Sequence, residues 1–328
     1  MDSNHKNRSF FWPMVLIGVG LAWLLYNLNL IGAANINAAL QLWPVLLIGI
    51  GLDVLIGRRY PVLSALIGLL VAGVILSMIL VGPQLGLVTA PEMQTETFVA
   101  PSGLARRAHL EFQFSTGDNT IRPLSGTQNL LVATATHSGI VDFVDTGTTN
   151  RNIRLSGPRT ESSILVFPSF LGEQSWDVAV SPDLPIDLEL NVSSGSTDVQ
   201  LTGLRVESIA IQVSSGDTSV TLPATSKAYQ STLRLSSGSL SVNVLPGADT
   251  TLESRVSSGR LTFDLPTSSP VRFEVTRKSS GTIRLPERFQ LVSGKADGEG
   301  VWEAPGSDPS APLIEISIEI SSGSVIVR

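Results

Sequence analysis

Seven times the sequence sets a pair of hydroxyl residues in front of a glycine. The phrase is Ser-Thr-Gly at 115–117 and Ser-Ser-Gly at 193–195, 214–216, 236–238, 257–259, 279–281 and 321–323. A serine on a flexible bend is the raw material of a nucleophile, so acyl transfer is the first chemistry to weigh. None of the seven has the Gly-x-Ser-x-Gly form of an esterase elbow. The only histidines are His5, His109 and His137, and none falls within the run of repeats from 190 to 328. Asp118 and Asp217 directly follow repeat glycines and offer the oxygen ligands that calcium takes. The recurring Gly-Gly-x-Gly-x-Asp of a calcium-binding roll is absent, and the turn reading prevails. Three histidines without a cysteine give no zinc spacing, and no glycine-rich phosphate loop ends in Lys-Ser or Lys-Thr. The sequence thus predicts no catalytic, cofactor-binding or metal-binding residue, and a protein that is not an enzyme.

What these phrases do is punctuate. Gly195, Gly216, Gly238, Gly259 and Gly281 stand 21, 22, 21 and 22 residues apart, and Gly323 follows after 42, with Gly117 as an outlier upstream. Apolar residues sit three and five positions before most of these glycines, as in Val192 and Leu190, and four and six after them, as in Val199 and Leu201. Period-two alternation on both sides of a bend predicts strand, turn, strand, with one face buried. One such unit cannot keep its face dry, so copies must stack. The constant period favours a β-solenoid of the parallel β-helix kind over a row of antiparallel hairpins. The 42-residue gap predicts one decayed copy across 294–311. Phe273 and Val275 lie one residue out of register before Arg277 and Lys278, which predicts a bulge.

The first quarter of the chain is of another kind. After a polar leader (1–9) come apolar stretches at 10–31, 38–57 and 61–82, each about 20 residues, the length of a membrane-crossing helix. Trp12–Leu24 (WPMVLIGVGLAWL) and Trp43–Leu55 (WPVLLIGIGLDVL) are copies of each other. Lys6 and Arg8 precede the first stretch, and Arg58 and Arg59 separate the second from the third. The positive-inside rule then places the N-terminus in the cytoplasm and everything after residue 82 outside. Asp53, within two turns of Arg58 and Arg59, reads as one half of a structural ion pair.

Residues 83–104 read as a linker, 105–187 as an elaborated β start and 188–328 as the repeats proper. LEFQFSTGDNTI (110–121) matches the inward offsets of an early coil. The last strand, ending at Arg328, has no evident cap, so that edge is either covered by 290–311 or free. With Lys and Arg numbering 22 against 28 Asp and Glu, and no basic stripe, nucleic acid is not an expected partner.

The duplicated WPxxLIGxGLxxL spans resemble the transmembrane region shared by LiaI- and LiaF-like bacterial proteins. The Ser-Ser-Gly ladder resembles the adhesin-type β-strand-repeat domain, and LEFQFSTGDNTI with LLVATAT (130–136) is similar to the start of the "toast-rack" domain of cell-wall-active antibiotic response proteins. The resemblance implies a multi-pass protein of the bacterial cell membrane presenting its β domain for binding or sensing. Its implied partners are the lipid bilayer and an envelope protein or sensor kinase, and its implied role is modulation of an envelope-stress response. The alternative is an adhesin-like structural protein that self-associates through solenoid edges. Antibiotic-response relatives carry four spans and a cytoplasmic C-terminal domain, so three spans here reverse the expected side of the β domain.

Overall fold

The computed structural model describes residues 11–28, 42–57, 60–81, 93–126, 128–159, 174–225, 227–308 and 310–328. The chain divides into a helical unit and a β unit.

The helical unit contains α1 (Phe11–Asn27), α2 (Trp43–Leu52), which runs on as a π-helical turn over Asp53–Gly57, and α3 (Pro61–Val81). Only Val62–Val81, among the described residues, is long and apolar enough to cross a membrane by itself; α1 and α2 are shorter apolar helices. The duplicated motif explains how they pack. An added Cβ on Gly18 would lie 2.9 Å from Ala72 Cβ, and one on Gly49 would lie 2.6 Å from Val71 Cγ2. Each copy therefore uses its first glycine to bring its helix close to α3, as small residues do where no hydrophobic effect drives helices together. At one end Ser64 Oγ donates to Asp53 Oδ1 (2.6 Å) and the Phe11 N–H donates to Ser64 Oγ (3.1 Å), tying together residues of α1, α3 and the π turn. Arg58 and Arg59, the expected partners of Asp53, lie outside the described residues.

The β unit is built from coils of two strands joined by the Ser-Ser-Gly bend. They are β2 (Arg107–Phe114) with β3 (Asp118–Pro123), β8 (Pro185–Val192) with β9 (Ser196–Gln200), and β10 (Arg205–Val213) with β11 (Asp217–Leu222). Then come β12 (Tyr229–Leu235) with β13 (Ser239–Val244), β14 (Thr250–Val256) with β15 (Arg260–Asp264), β16 (Val271–Lys278) with β17 (Thr282–Arg284), and β20 (Ile314–Ile320) with β21 (Ser324–Val327). The remaining strands are β1 (Gln94–Pro101), β4 (Asn129–His137), β5 (Ile140–Thr146), β6 (Asn150–Arg159), β7 (Ser175–Val180), β18 (Gln290–Gly294) and β19 (Gly300–Ala304).

Equivalent strands of successive coils pair in parallel and in register, first members in one sheet and second members in the other. Alternate side chains of both sheets enter one hydrophobic core; β8, for example, buries Ile186, Leu188, Leu190 and Val192. The bulge is where the sequence puts it, between Val275 and Arg277.

The order of coils at the two ends departs from chain order, and this corrects three expectations. The sheets run β6-β2-β8-β10-β12-β14-β20-β16 and β7-β3-β9-β11-β13-β15-β21-β17 through their parallel parts. The last coil in the chain, β20–β21, is therefore an interior coil, inserted between β14–β15 and β16–β17. No decayed copy occupies 294–311: that segment contributes to an antiparallel hairpin, β18–β19, which pairs on the far side of β16. The strand nearest Arg328 is consequently not an edge. At the other end β6 and β7 lie outside β2 and β3, followed by antiparallel β5 in one sheet and by β4 and β1 in the other. Within the stretch read as a linker, Gln94–Pro101 forms β1, the outermost strand of its sheet. Its side chains are nearly all exposed, so it lacks the buried alternation that marks a strand in sequence.

Candidate functional site

The seven repeat glycines stack in the order 117, 195, 216, 238, 259, 323, 281. The ladder of backbone hydrogen bonds runs on through the bends: from Gly195 onward the N–H after each glycine donates to the glycine carbonyl of the neighbouring coil, as in Ser196 to Gly117, Asp217 to Gly195 and Ser324 to Gly259, while the Asp118 N–H donates to Gln174 O. The second hydroxyl residue is fixed in the same way. Ser258 N–H donates to Ser236 O, Ser322 N–H to Ser257 O and Ser280 N–H to Ser321 O. The hydroxyls of Ser194, Ser322 and Ser280 reinforce this by donating to the carbonyls of Ser115, Ser257 and Ser321. Serine is chosen here because its short hydroxyl reaches adjacent backbone.

Glycine is required for two different reasons along the stack. Gly117, Gly195, Gly216 and Gly238 have φ between +82° and +92°, where a Cβ is strained. Gly259, Gly323 and Gly281 are not in that region, but they are buried and closely covered. A Cβ on Gly259 would lie 2.7 Å from Leu235 Cδ2 and 2.7 Å from Gly238 O.

The residues weighed for chemistry are not brought together. His109 is exposed on the outer face of β2, registered beside Asp187. His137 is buried on β4, stacked on Trp176 with ring centroids 6.3 Å apart. Asp118 and Asp217 occupy the same row of the other sheet with Ser196 between them. Among the described residues no group of three or more His, Cys, Asp or Glu could hold a metal ion.

Among the described residues, shallow depressions mark the outer faces. One is lined by hydroxyls and carboxylates, including Thr120, Ser196, Asp198, Asp217, Ser219 and Ser241. The other, on the opposite sheet, is lined by Arg234, Glu253, Arg255, Thr276, Ser317 and Glu319. There Arg255 Nε donates to Glu319 Oε2 at 2.8 Å, and that hydrogen bond holds the Glu319 carboxyl below its usual range. A second cross-strand pair joins Arg154 Nε to Glu111 Oε2 at 2.6 Å. Burial pushes the Glu111 carboxyl up, but the bonds from Arg154 and Gln113 outweigh it and carry the group below its usual range. Ion pairs of this kind on a sheet surface fix register more than they stabilise.

A row of buried polar residues escaped the sequence reading. Two positions after the glycine, Asn119, Thr197 and Thr218 point inward beside Trp176, in register with Leu240, Leu261 and Val325 further along. The signal was available: this position shares its parity with the inward residues four and six after the glycine.

Comparison with known proteins places these features. Residues 10–55 match the LiaI-LiaF-like transmembrane region, and residues 90–245 match the N-terminal domain of toast_rack, DUF2154. The chain thus carries a stretch similar to the LiaI-LiaF-like transmembrane region ahead of one similar to the toast-rack N-terminal domain. The toast-rack match spans β1 through β13, and the coils beyond it continue the same repeat. No curated protein matches. Among solved structures, a candidate cell adhesion protein from Clostridium sporogenes aligns with a TM-score of 0.50 at 14% identity, covering 72% of this chain and 99% of that one. A candidate adhesin from Bacteroides fragilis aligns with a TM-score of 0.34 at 9% identity, covering 72% of this chain and 97% of that one. At 14% identity the likeness to the clostridial protein shows the fold alone.

Proposed function

We propose that this protein is a non-enzymatic, membrane-anchored binding module of the bacterial cell envelope, whose toast-rack domain is presented outside the membrane and engages its partner through its flanks. In this reading the apolar stretches at 10–31, 38–57 and 61–82 cross the membrane with the N-terminus inside. The partner is an envelope protein, a sensor kinase of an envelope-stress response included. The observation that carries the flank reading is the closure of both ends. Parallel coils give way to antiparallel strands in both sheets at the β1 and β5 end and in the β16 sheet at the other end, where the second sheet stops on the short parallel strand β17. The outermost strands are also irregular or short: β1 has a register shift before Pro101, β18 one after Leu291, and β17 is three residues long. Such features discourage edge-to-edge pairing and favour recognition along the sides. The alternative, self-assembly through solenoid edges, requires a neighbour to add to these strands.

The test is capture of the tagged full chain from native membranes, with and without a cell-wall antibiotic. A discrete envelope partner, lost on reversing charge at Arg234 and Arg255, supports the flank reading. Recovery of the chain only with itself, together with concentration-dependent growth of its particle size, supports the alternative. A reporter fused at Arg328 decides the side: activity only in the cytoplasm overturns export.

A further inference from the structure

The interior of the β unit is apolar along most of its length, but one end is not. Trp176, Asn119, Thr197 and Thr218 are neighbours in one inward row, and His137 stacks on Trp176 from β4. Asn119, His137, Gln174 and Trp176 are each at least 97% buried. Asn119 Oδ1, Gln174 Oε1, Trp176 Nε1 and both ring nitrogens of His137 nevertheless have no hydrogen-bond partner among the described residues. The closest approach to a charge is 3.8 Å, from His137 Nε2 to Glu96 Oε2 on β1. That is beyond hydrogen-bond range and suited to a bridging molecule.

These atoms are held rather than loose. Asn119 Nδ2 is committed to Gly117 O, Ser196 O and Thr197 Oγ1 at 3.1–3.3 Å, which leaves Oδ1 as the free end of a fixed amide. The Gln174 carbonyl accepts the Asp118 N–H at 3.1 Å, anchoring that residue by its backbone. Trp176 is clamped between His137 and Phe114, whose ring centroid is 5.8 Å away. Elsewhere in the core, partnerless hydroxyls such as Ser231 and Ser254 stand singly among aliphatic neighbours. Here acceptors (Asn119, Gln174) and a donor (Trp176) sit together with an imidazole that can be either, the combination that binds water.

We propose that this end of the core is a binding site for ordered water, with Asn119, Gln174, Trp176 and His137 as its ligands and Glu96 reached through His137. The inference is independent of what the flanks bind. The test is a high-resolution crystal structure of the full chain and of its His137→Phe variant, with melting of both. Phenylalanine keeps the stacked ring while removing both nitrogens. The expected result is water density within hydrogen-bond distance of at least two of the named atoms. In the variant that density should be lost and Tm should fall by about 2–4 °C, the shift that one lost interaction gives in a domain of this size. Direct packing of these side chains without water overturns the proposal, and so does a variant that melts higher than the parent with the density unchanged.

Discussion

At one end of the β unit, β20 sends Ile314, Ile316, Ile318 and Ile320 into the core, all nearly inaccessible to solvent. At the other, β3, β4 and β7 send in Asn119, His137 and Trp176. The topology is the same in both places. A coil is slotted inside its predecessor or successor in the chain, and antiparallel strands close at least one sheet of the stack. Closure is therefore a property of strand order, which tolerates either a dry or a polar interior. The difference lies in how each end is held. Isoleucines gain from area removed from water, about 1.5–3 kcal/mol each. The polar end depends on hydrogen bonds whose partners must all be present.

The largest test of this contrast is Ile318→Ala. Its side chain is fully buried between β14 and β16, and the cavity should cost about 2–5 kcal/mol. Chemical denaturation of the full chain measures it. A loss under 1 kcal/mol would mean that the inserted coil is not a structural part of the stack.

Next come the bends. Gly216→Ala places a Cβ against the backbone carbonyl of Gly195 in a left-handed conformation, whereas Gly259→Ala, outside that conformation, meets Gly238 O and Leu235 at the looser distance of 2.7 Å. The first should cost at least the roughly 1–2 kcal/mol of a left-handed alanine, plus a backbone shift, and the second less. Equal losses in parallel melts would show that one turn geometry serves all seven bends.

Hydrogen exchange compares the ends directly. Amides of β4 and β7 should exchange at least about tenfold faster than those of β12 and β14, because local opening follows the less apolar end. Uniform protection would remove the distinction.

Much of this was legible. The 21–22-residue period gave the coils, the parity of Leu190, Val192, Val199 and Leu201 gave the inward faces, and the slip at Phe273 and Val275 gave the bulge. The interleaving was not legible, because alternation says which face a residue occupies and nothing about which strand lies beside it. Gly281 and Gly323, 42 apart in sequence, are adjacent in the stack, so the spacing that suggested a lost copy instead marks an inserted hairpin. Asn119 and Thr218 are not legible as inward residues, because polar residues in an alternating pattern are assigned outward by type. Their offset from the glycine, shared with Leu240 and Leu261, outranks their chemistry.

The smallest expected effect lies on the outer face beside the polar end, at Arg154 and Glu111. The carboxyl is held below its unfolded value, so the pair contributes stability above the unfolded carboxylate pKa, and that contribution is lost as pH falls through the folded value. Arg154→Met should therefore lower stability at neutral pH only slightly, given the exposed guanidinium. The gap between variant and parent should close as pH is lowered through the carboxylate range. A gap that stays constant with pH would assign the loss to packing of the arginine stem rather than to its charge. That outcome would make the outer face beside the polar end hold as the isoleucine end does, by contact area, and the contrast between the ends would then be confined to the interior row.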